Sequence, residues 1–123
     1  MGETYDLEER LLEYAARITR LVEKLPDTRT GNHVAGQLLR SGTSALPNHA
    51  EAQAAESRKD FVHKLKICHK ELRESRRWLR LIQRVPLLKA SAVESLVQET
   101  EELIRIFSSS IRTASRGVSG VQR

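Results

Sequence analysis

Between Ser57 and Arg84, apolar or small residues recur in alternating steps of four and three: Phe61, Leu65, Cys68, Leu72, Ser75, Leu79 and Ile82. That spacing holds them on one stripe of an α-helix, whereas a strand would scatter them over both faces. Sustained for three heptads, it predicts a helix that buries one side along a continuous seam. The segment has 28 residues, so it reaches about 42 Å at 1.5 Å per residue. Ser57 followed three residues later by Asp60 makes a capping box at its start, and Pro86 closes it.

Three further segments share this pattern. Leu7, Leu11, Tyr14, Ile18, Leu21 and Leu25 predict a first helix from Asp6 to Leu25, ended by Pro26 and the polar run Asp27 to Gly31. Val34, Leu38 and Ala45 give a thinner stripe to a second helix, Asn32 to Ala55, in which Gly42 lets a neighbour pack close. Pro47 lies inside it, lacks an amide hydrogen for Thr43 and predicts a kink or break there. A fourth helix opens with a second box, Ser91 and Glu94. It carries Val93, Leu96, Thr100, Leu103, Phe107, Ser110 and Ala114 on one face. The expected architecture is all-α: an antiparallel up-and-down four-helix bundle, kinked near Pro47. Residues 1–116 form its single domain, and 117–123, with Gly117 and Gly120, a flexible C-terminal tail.

Composition fits this fold. Only 4% of residues are aromatic, and 39% hydrophobic against 30% charged is a globular balance. No uninterrupted apolar stretch approaches the roughly 18 to 20 residues of a membrane span. Met1 to Arg10 is acidic, without the apolar core of a signal peptide, and the one cysteine, Cys68, allows no intrachain disulfide. A cytoplasmic location is expected, with no membrane partner.

The net charge of +5 is less telling than its placement. From Ser57 to Arg84 there are ten Lys or Arg against three acids, Asp60, Glu71 and Glu74. Six of the cations, Lys66, Lys70, Arg73, Arg77, Arg80 and Arg84, follow at steps of four and three on the side away from the seam. A solvated helix face usually mixes both signs, whereas a one-sign stripe repels itself and is relieved by a phosphate backbone. The stripe is therefore a candidate surface for RNA or DNA. Aromatic interleaving for single-strand stacking is missing, since only Trp78 lies nearby.

On the second helix Arg40, Ser44, Asn48 and Glu51 make a polar line around Pro47. If buried, it needs internal pairing, with Arg40 and Glu51 as charge partners and Asn48 serving carbonyls freed by the proline. This line has the character of a structural feature, because no nucleophile with a nearby base accompanies it. No cofactor motif is present, and no metal site is expected: Asp60 and His63 approach a ligand spacing only once, and His63 and His69 lie six apart. Cys68 sits in the seam as a small buried residue. Trp78 flanks the seam as core or as an anchor between subunits, and Leu12, Val22, Leu39, Leu46, Leu81 and Ile104 widen the apolar faces toward burial between chains.

The stretch Gln37 to Ser44 resembles a bacterial family, as do Asn48, Glu51–Ala52, Ala55–Ser57, Asp60–Leu65, Lys70–Glu74, Trp78–Leu79 and Ser110–Ala114. These residues are similar to those of the four-helix-bundle proteins found as reading frames within intervening sequences of 23S ribosomal RNA genes, over about Leu7 to Ala114. The resemblance implies a homo-pentamer, cytoplasmic and non-enzymatic. It also implies kinship with the accessory variability determinant of diversity-generating retroelements, a basic pentamer that binds nucleic acid and a reverse transcriptase. A reverse transcriptase partner for this chain needs such a gene beside its own. Arg40, Ser44, Asn48 and Glu51 match the family's polar positions and bring no catalytic role. Leu46 and Pro47 depart from it, standing where relatives often carry small residues or Gly. Two expectations of different class follow: a homo-oligomeric accessory module that binds nucleic acid through the stripe, or a structural or protein-interaction scaffold without a nucleic-acid ligand.

Overall fold

The computed structural model describes residues 3–122, with side chains from Asp6 to Arg116. Four helices account for its regular structure: α1 (Glu3–Val22), α2 (Arg29–Gln53), α3 (Arg58–Arg84) and α4 (Ala90–Gln122). Each packs on its chain neighbours, and α4 returns to α1, which it approaches closely at only a few points. Cross-helix pairs run in opposite directions: Ser41 meets Ser75 while Glu51 meets Lys64, and Arg76 meets Glu101 while Gln83 meets Glu94. The arrangement is the expected antiparallel four-helix bundle. None of the four helices, among the described residues, is long and apolar enough to cross a membrane.

The stripes read from the sequence form one core. Leu11, Tyr14 and Ile18 from α1 meet Val34 and Leu38 from α2, Leu65, Leu72, Leu79 and Ile82 from α3, and Val93, Leu103 and Phe107 from α4. Cys68 is fully buried among them. Gly42 lets α1 and α2 approach: a Cβ there would lie 2.7 Å from Ile18 Cγ2.

The helix ends differ in part from expectation. α1 stops at Val22, and Lys24 and Leu25 continue in tight turns bonded to Leu21 and Val22. α2 starts earlier, at Arg29, because Thr28 caps it by accepting the Gly31 amide at 3.0 Å. Ser57 caps α3 by accepting the Asp60 amide. The Ser91–Glu94 box does not form: α4 begins at Ala90, and Glu94 accepts instead from Gln83 and Gln98. α2 runs through Pro47 as one helix, so the break considered there does not occur. The tail expected at 117–123 is helical backbone to Gln122, while its side chains and Arg123 lie outside the described residues.

Inside the apolar core lies a layer of hydroxyls, one from each helix, each at most 1% exposed: Tyr14, Ser41, Ser75 and Thr100. Thr100 donates to the Leu96 carbonyl at 2.7 Å, so the phenol of Tyr14 donates to Thr100, also at 2.7 Å. Ser41 and Ser75 share a hydrogen bond of 2.8 Å between α2 and α3. Burial pushes the Tyr14 phenol up to about 12, against the lowering effect of the neighbouring hydroxyls of Thr100 and Ser75. α1 and α4 are joined further by Arg10 to Glu99 and Glu102 and by Arg17 to Ser95.

Two glycines of α2 separate packing from helix propensity. Gly36→Ala meets no atom within 4 Å, so it is expected to stabilise by about 0.5–1 kcal/mol. Gly42→Ala drives a methyl into Ile18 and is expected to destabilise by about 1–3 kcal/mol. Urea denaturation of the two variants beside the parent checks both signs.

Candidate nucleic-acid interface

The steps of four and three that place the core residues of α3 on one side place its cations on the other. Lys66, Lys70, Arg73, Arg77, Arg80 and Arg84 are all exposed. From Lys66 to Arg84 the row rises about 27 Å, one cation per turn. None of the six joins an ion pair among the described residues. The cations on the flanks of α3 behave differently: Lys64 pairs with Glu51 on α2, and Arg76 with Glu101 on α4 at 2.9 Å.

The acids of α3 are equally segregated. Asp60 stays in the first turn, where a carboxylate suits the helix N-terminus. Glu71 and Glu74, one turn apart, both face α2 and meet the same guanidinium: Arg40 Nη1 donates to Glu71 at 3.0 Å, and Nη2 donates to Glu74. The Glu71 side chain is only 11% exposed. Trp78 Nε1 also donates to Glu74, at 3.0 Å, and His33 packs edge-on against the indole. The Trp78 hydrogen bond and then Arg40 hold the Glu74 carboxyl below its ordinary pKa. These two acids in turn raise the pKa of Arg40.

The polar line of α2 is not buried, Arg40 and Glu51 both being exposed, so the condition for internal pairing is not met. Arg40 and Glu51 do not bond to each other. Both reach across to α3, Arg40 to Glu71 and Glu74 and Glu51 to Lys64. Between them Asn48 donates to the carbonyl and hydroxyl of Ser44, at 3.0 and 3.1 Å. The carbonyl that Pro47 leaves without its helical donor is that of Thr43, one residue earlier, so Asn48 does not serve it. Glu71 and Glu74 were not singled out by sequence reasoning. Their only sequence signal is a spacing that sets both, with Trp78, on one flank of α3.

Elsewhere little chemistry is assembled. No group of three ligand-type side chains that could hold a metal occurs among the described residues. Trp78 is partly buried against the core, with its N–H engaged. His49 is buried against Phe107 beside a cavity of about 590 Å³ at the end of the bundle, and desolvation lowers its pKa. Cys68 is enclosed, and burial pushes its thiol up to about 12.

Comparison with known proteins agrees with this architecture. The family model for the 23S rRNA-intervening sequence protein matches residues 3–109. A solved structure from Bacteroides thetaiotaomicron, a protein with unknown function from the S23 ribosomal protein family, is 34% identical. It superposes with a TM-score of 0.81, the match covering 88% of this chain and 96% of that one. No curated protein matches.

The environment of Cys68 makes it inert in the folded state. An aromatic disulfide reagent at pH 8 is expected to leave the native protein unmodified and to label one thiol per chain once denaturant is added, read by absorbance of the released thiolate.

Proposed function

The chain belongs to the 23S rRNA-intervening sequence protein family, and from that premise we propose that it is a non-enzymatic, homo-oligomeric module that binds RNA or DNA through the outer face of α3. The observation that carries this is the row Lys66, Lys70, Arg73, Arg77, Arg80 and Arg84, exposed and without acidic partners among the described residues. Successive cations rise by about 5 Å along the helix, inside a Debye length of about 8 Å at physiological salt. They therefore repel one another. A duplex carries one phosphate charge per about 1.7 Å of axis and relieves that repulsion while releasing its own counterions. Contacts of this kind position a protein on the backbone without reading bases. Trp78, whose N–H is held by Glu74, is no row of stacking platforms. A sequence-independent backbone binder is what these side chains can make.

The oligomer rests on a separate surface. Leu12 of α1 is 50% exposed and Leu39 of α2 39%. Leu39, Thr43, Leu46 and Ala50 share one side of α2 by their spacing, with no charge among them. Burial against a second copy covers these residues, and a ring of five, the assembly implied by the family resemblance, repeats the α3 row around its rim and raises avidity. A cytoplasmic location belongs to the same reading, supported by the free buried thiol.

A second reading has its own observation. Leu81 and Val85, 39% and 52% exposed, lie near Arg77, Arg80 and Arg84 at the end of α3. That mixture suits an acidic, partly apolar protein segment and supports a protein-interaction scaffold.

Fluorescence anisotropy with 20-base-pair RNA and DNA duplexes across a salt series tests the main reading. Affinity is expected to fall steeply with salt and to vary little with sequence. Arg73→Glu with Arg77→Glu should weaken binding to every duplex and flatten the log–log salt dependence by about two, roughly one for each phosphate no longer neutralised. No binding of the parent at low salt overturns it, and a partner pulled from nuclease-treated lysate turns the choice to the scaffold. Light scattering is expected to give an oligomer that Leu39→Glu dissociates.

A further inference from the structure

The row on α3 carries one sign only because its acids are occupied elsewhere. Glu74 lies in sequence between two members of the row, four residues after Lys70 and three before Arg77. On an isolated helix those are the spacings at which a carboxylate pairs with a cation. The Lys70 charge indeed acts on the Glu74 carboxyl. Yet Glu74 forms an ion pair with neither. It accepts from Arg40 Nη2 and from Trp78 Nε1, on the α2 side of the helix. Glu71, the other acid within the row, is held by the same guanidinium and is nearly buried. Arg40 belongs to a different helix and stands outside the row, so its own charge is spent on two carboxylates.

We infer that Arg40 is a positioning residue for the phosphate-binding face: by holding Glu71 and Glu74 against α2, it keeps them from neutralising Lys70 and Arg77. Arg40 acts through Glu74 and has no phosphate contact of its own. Without the guanidinium, Glu74 retains only the Trp78 N–H and turns toward the cation one turn away on either side. The face then loses at least one free charge to an internal pair, although no member of the row has been altered. Sequence composition does not reveal this, because the same ten cations and three acids between Ser57 and Arg84 give either surface.

This inference rests on the nucleic-acid reading, and a double-mutant cycle with two anionic probes separates the two. The proteins are the parent, Arg40→Gln, Glu74→Gln and the double variant. The probes are a 20-base-pair duplex followed by anisotropy and immobilised heparin followed by the salt needed for elution. Arg40→Gln is expected to weaken duplex binding about eight-fold at 0.1 M salt and to flatten the salt slope by about one, the counterion-release value of a single phosphate contact. Glu74→Gln alone should change affinity less than about two-fold, and the double variant should return to within about two-fold of the parent, so the two steps are strongly non-additive.

Equal and opposite effects that simply add in either background would mean that only net charge matters. A double variant as weak as Arg40→Gln would mean that Arg40 touches phosphate itself. Either result overturns the inference and leaves the function standing. If the parent ignores the duplex but heparin elution shows the non-additive cycle, the function falls and the positioning role holds. No retention on either probe removes both. Should Arg40→Gln fail to fold with Glu71 unpaired, Arg40→Gln with Glu71→Gln removes that buried carboxylate, and its comparison with the triple glutamine variant gives the same test of Glu74.

Discussion

A hydroxyl sealed from water must find a partner inside the protein, at a cost of about 1–3 kcal/mol if it does not. This bundle places one such group from each helix in its interior. Tyr14 is bonded to Thr100, and Ser41 to Ser75. Apolar stripes alone tolerate sliding, since a Leu displaced by one turn still meets other apolar atoms. Displacement by one turn, about 5.4 Å, breaks the cross-helix bonds: Thr100 and Ser75 keep only carbonyls of their own helices, and the buried Tyr14 phenol loses its Thr100 partner. The layer therefore specifies the register of α1 on α4 and of α2 on α3. Arg40 is the residue next to Ser41, and Glu74 is next to Ser75. The register fixed in the core by the two serines is the one that brings the Arg40 guanidinium to Glu71 and Glu74 on the surface.

Surface charge on α3 is sorted by direction as a result. Cations facing sideways are consumed by neighbouring helices, Lys64 by Glu51 and Arg76 by Glu101, and acids facing α2 are consumed by Arg40. Only the outward direction has no opposing helix, and there the charge remains unopposed by any side chain among the described residues. Individually these partly exposed pairs contribute little to stability, of order 0–1 kcal/mol each. Their consequence lies in what they withhold from the outer face.

Much of this was legible in the sequence because it depends on periodicity. The seam from Phe61 to Ile82, the outward row from Lys66 to Arg84 and the cap at Ser57 are properties of one helix, and a helix announces its faces through spacing. What escaped depends on two helices at once. Ser75 and Thr100 were placed on buried faces, but nothing local says that they bond to Ser41 and Tyr14. Spacing along α2 offers Arg40 a partner in Glu51, eleven residues away, should that line be buried, whereas Arg40 is exposed and its partners lie across the interface. The box at Ser91 does not form because α4 begins one residue earlier, at Ala90, which puts Ser91 inside the helix; Glu94 is then met by Gln83 from the preceding helix.

The circumference of the bundle is not uniform. α1 is pressed against α2 at Gly42, where the backbone has no side chain to hold it away, but α1 and α4 come close at only a few points and are tied by Arg10, Tyr14 and Arg17 to Glu99, Glu102, Thr100 and Ser95. Those ties join residues 78 to 92 positions apart, among the least local contacts of the chain. Closing so long a loop costs more chain entropy than forming any of the three hairpins of adjacent helices. Beside the shared core it is closed by polar groups, for which water is a ready substitute outside the buried Tyr14 pair. The first and last helices thus meet along the seam where contact range alone leads one to expect local opening first, while the α2–α3 hairpin, which carries the basic row and its Arg40 clamp, is assembled from contacts of shorter range.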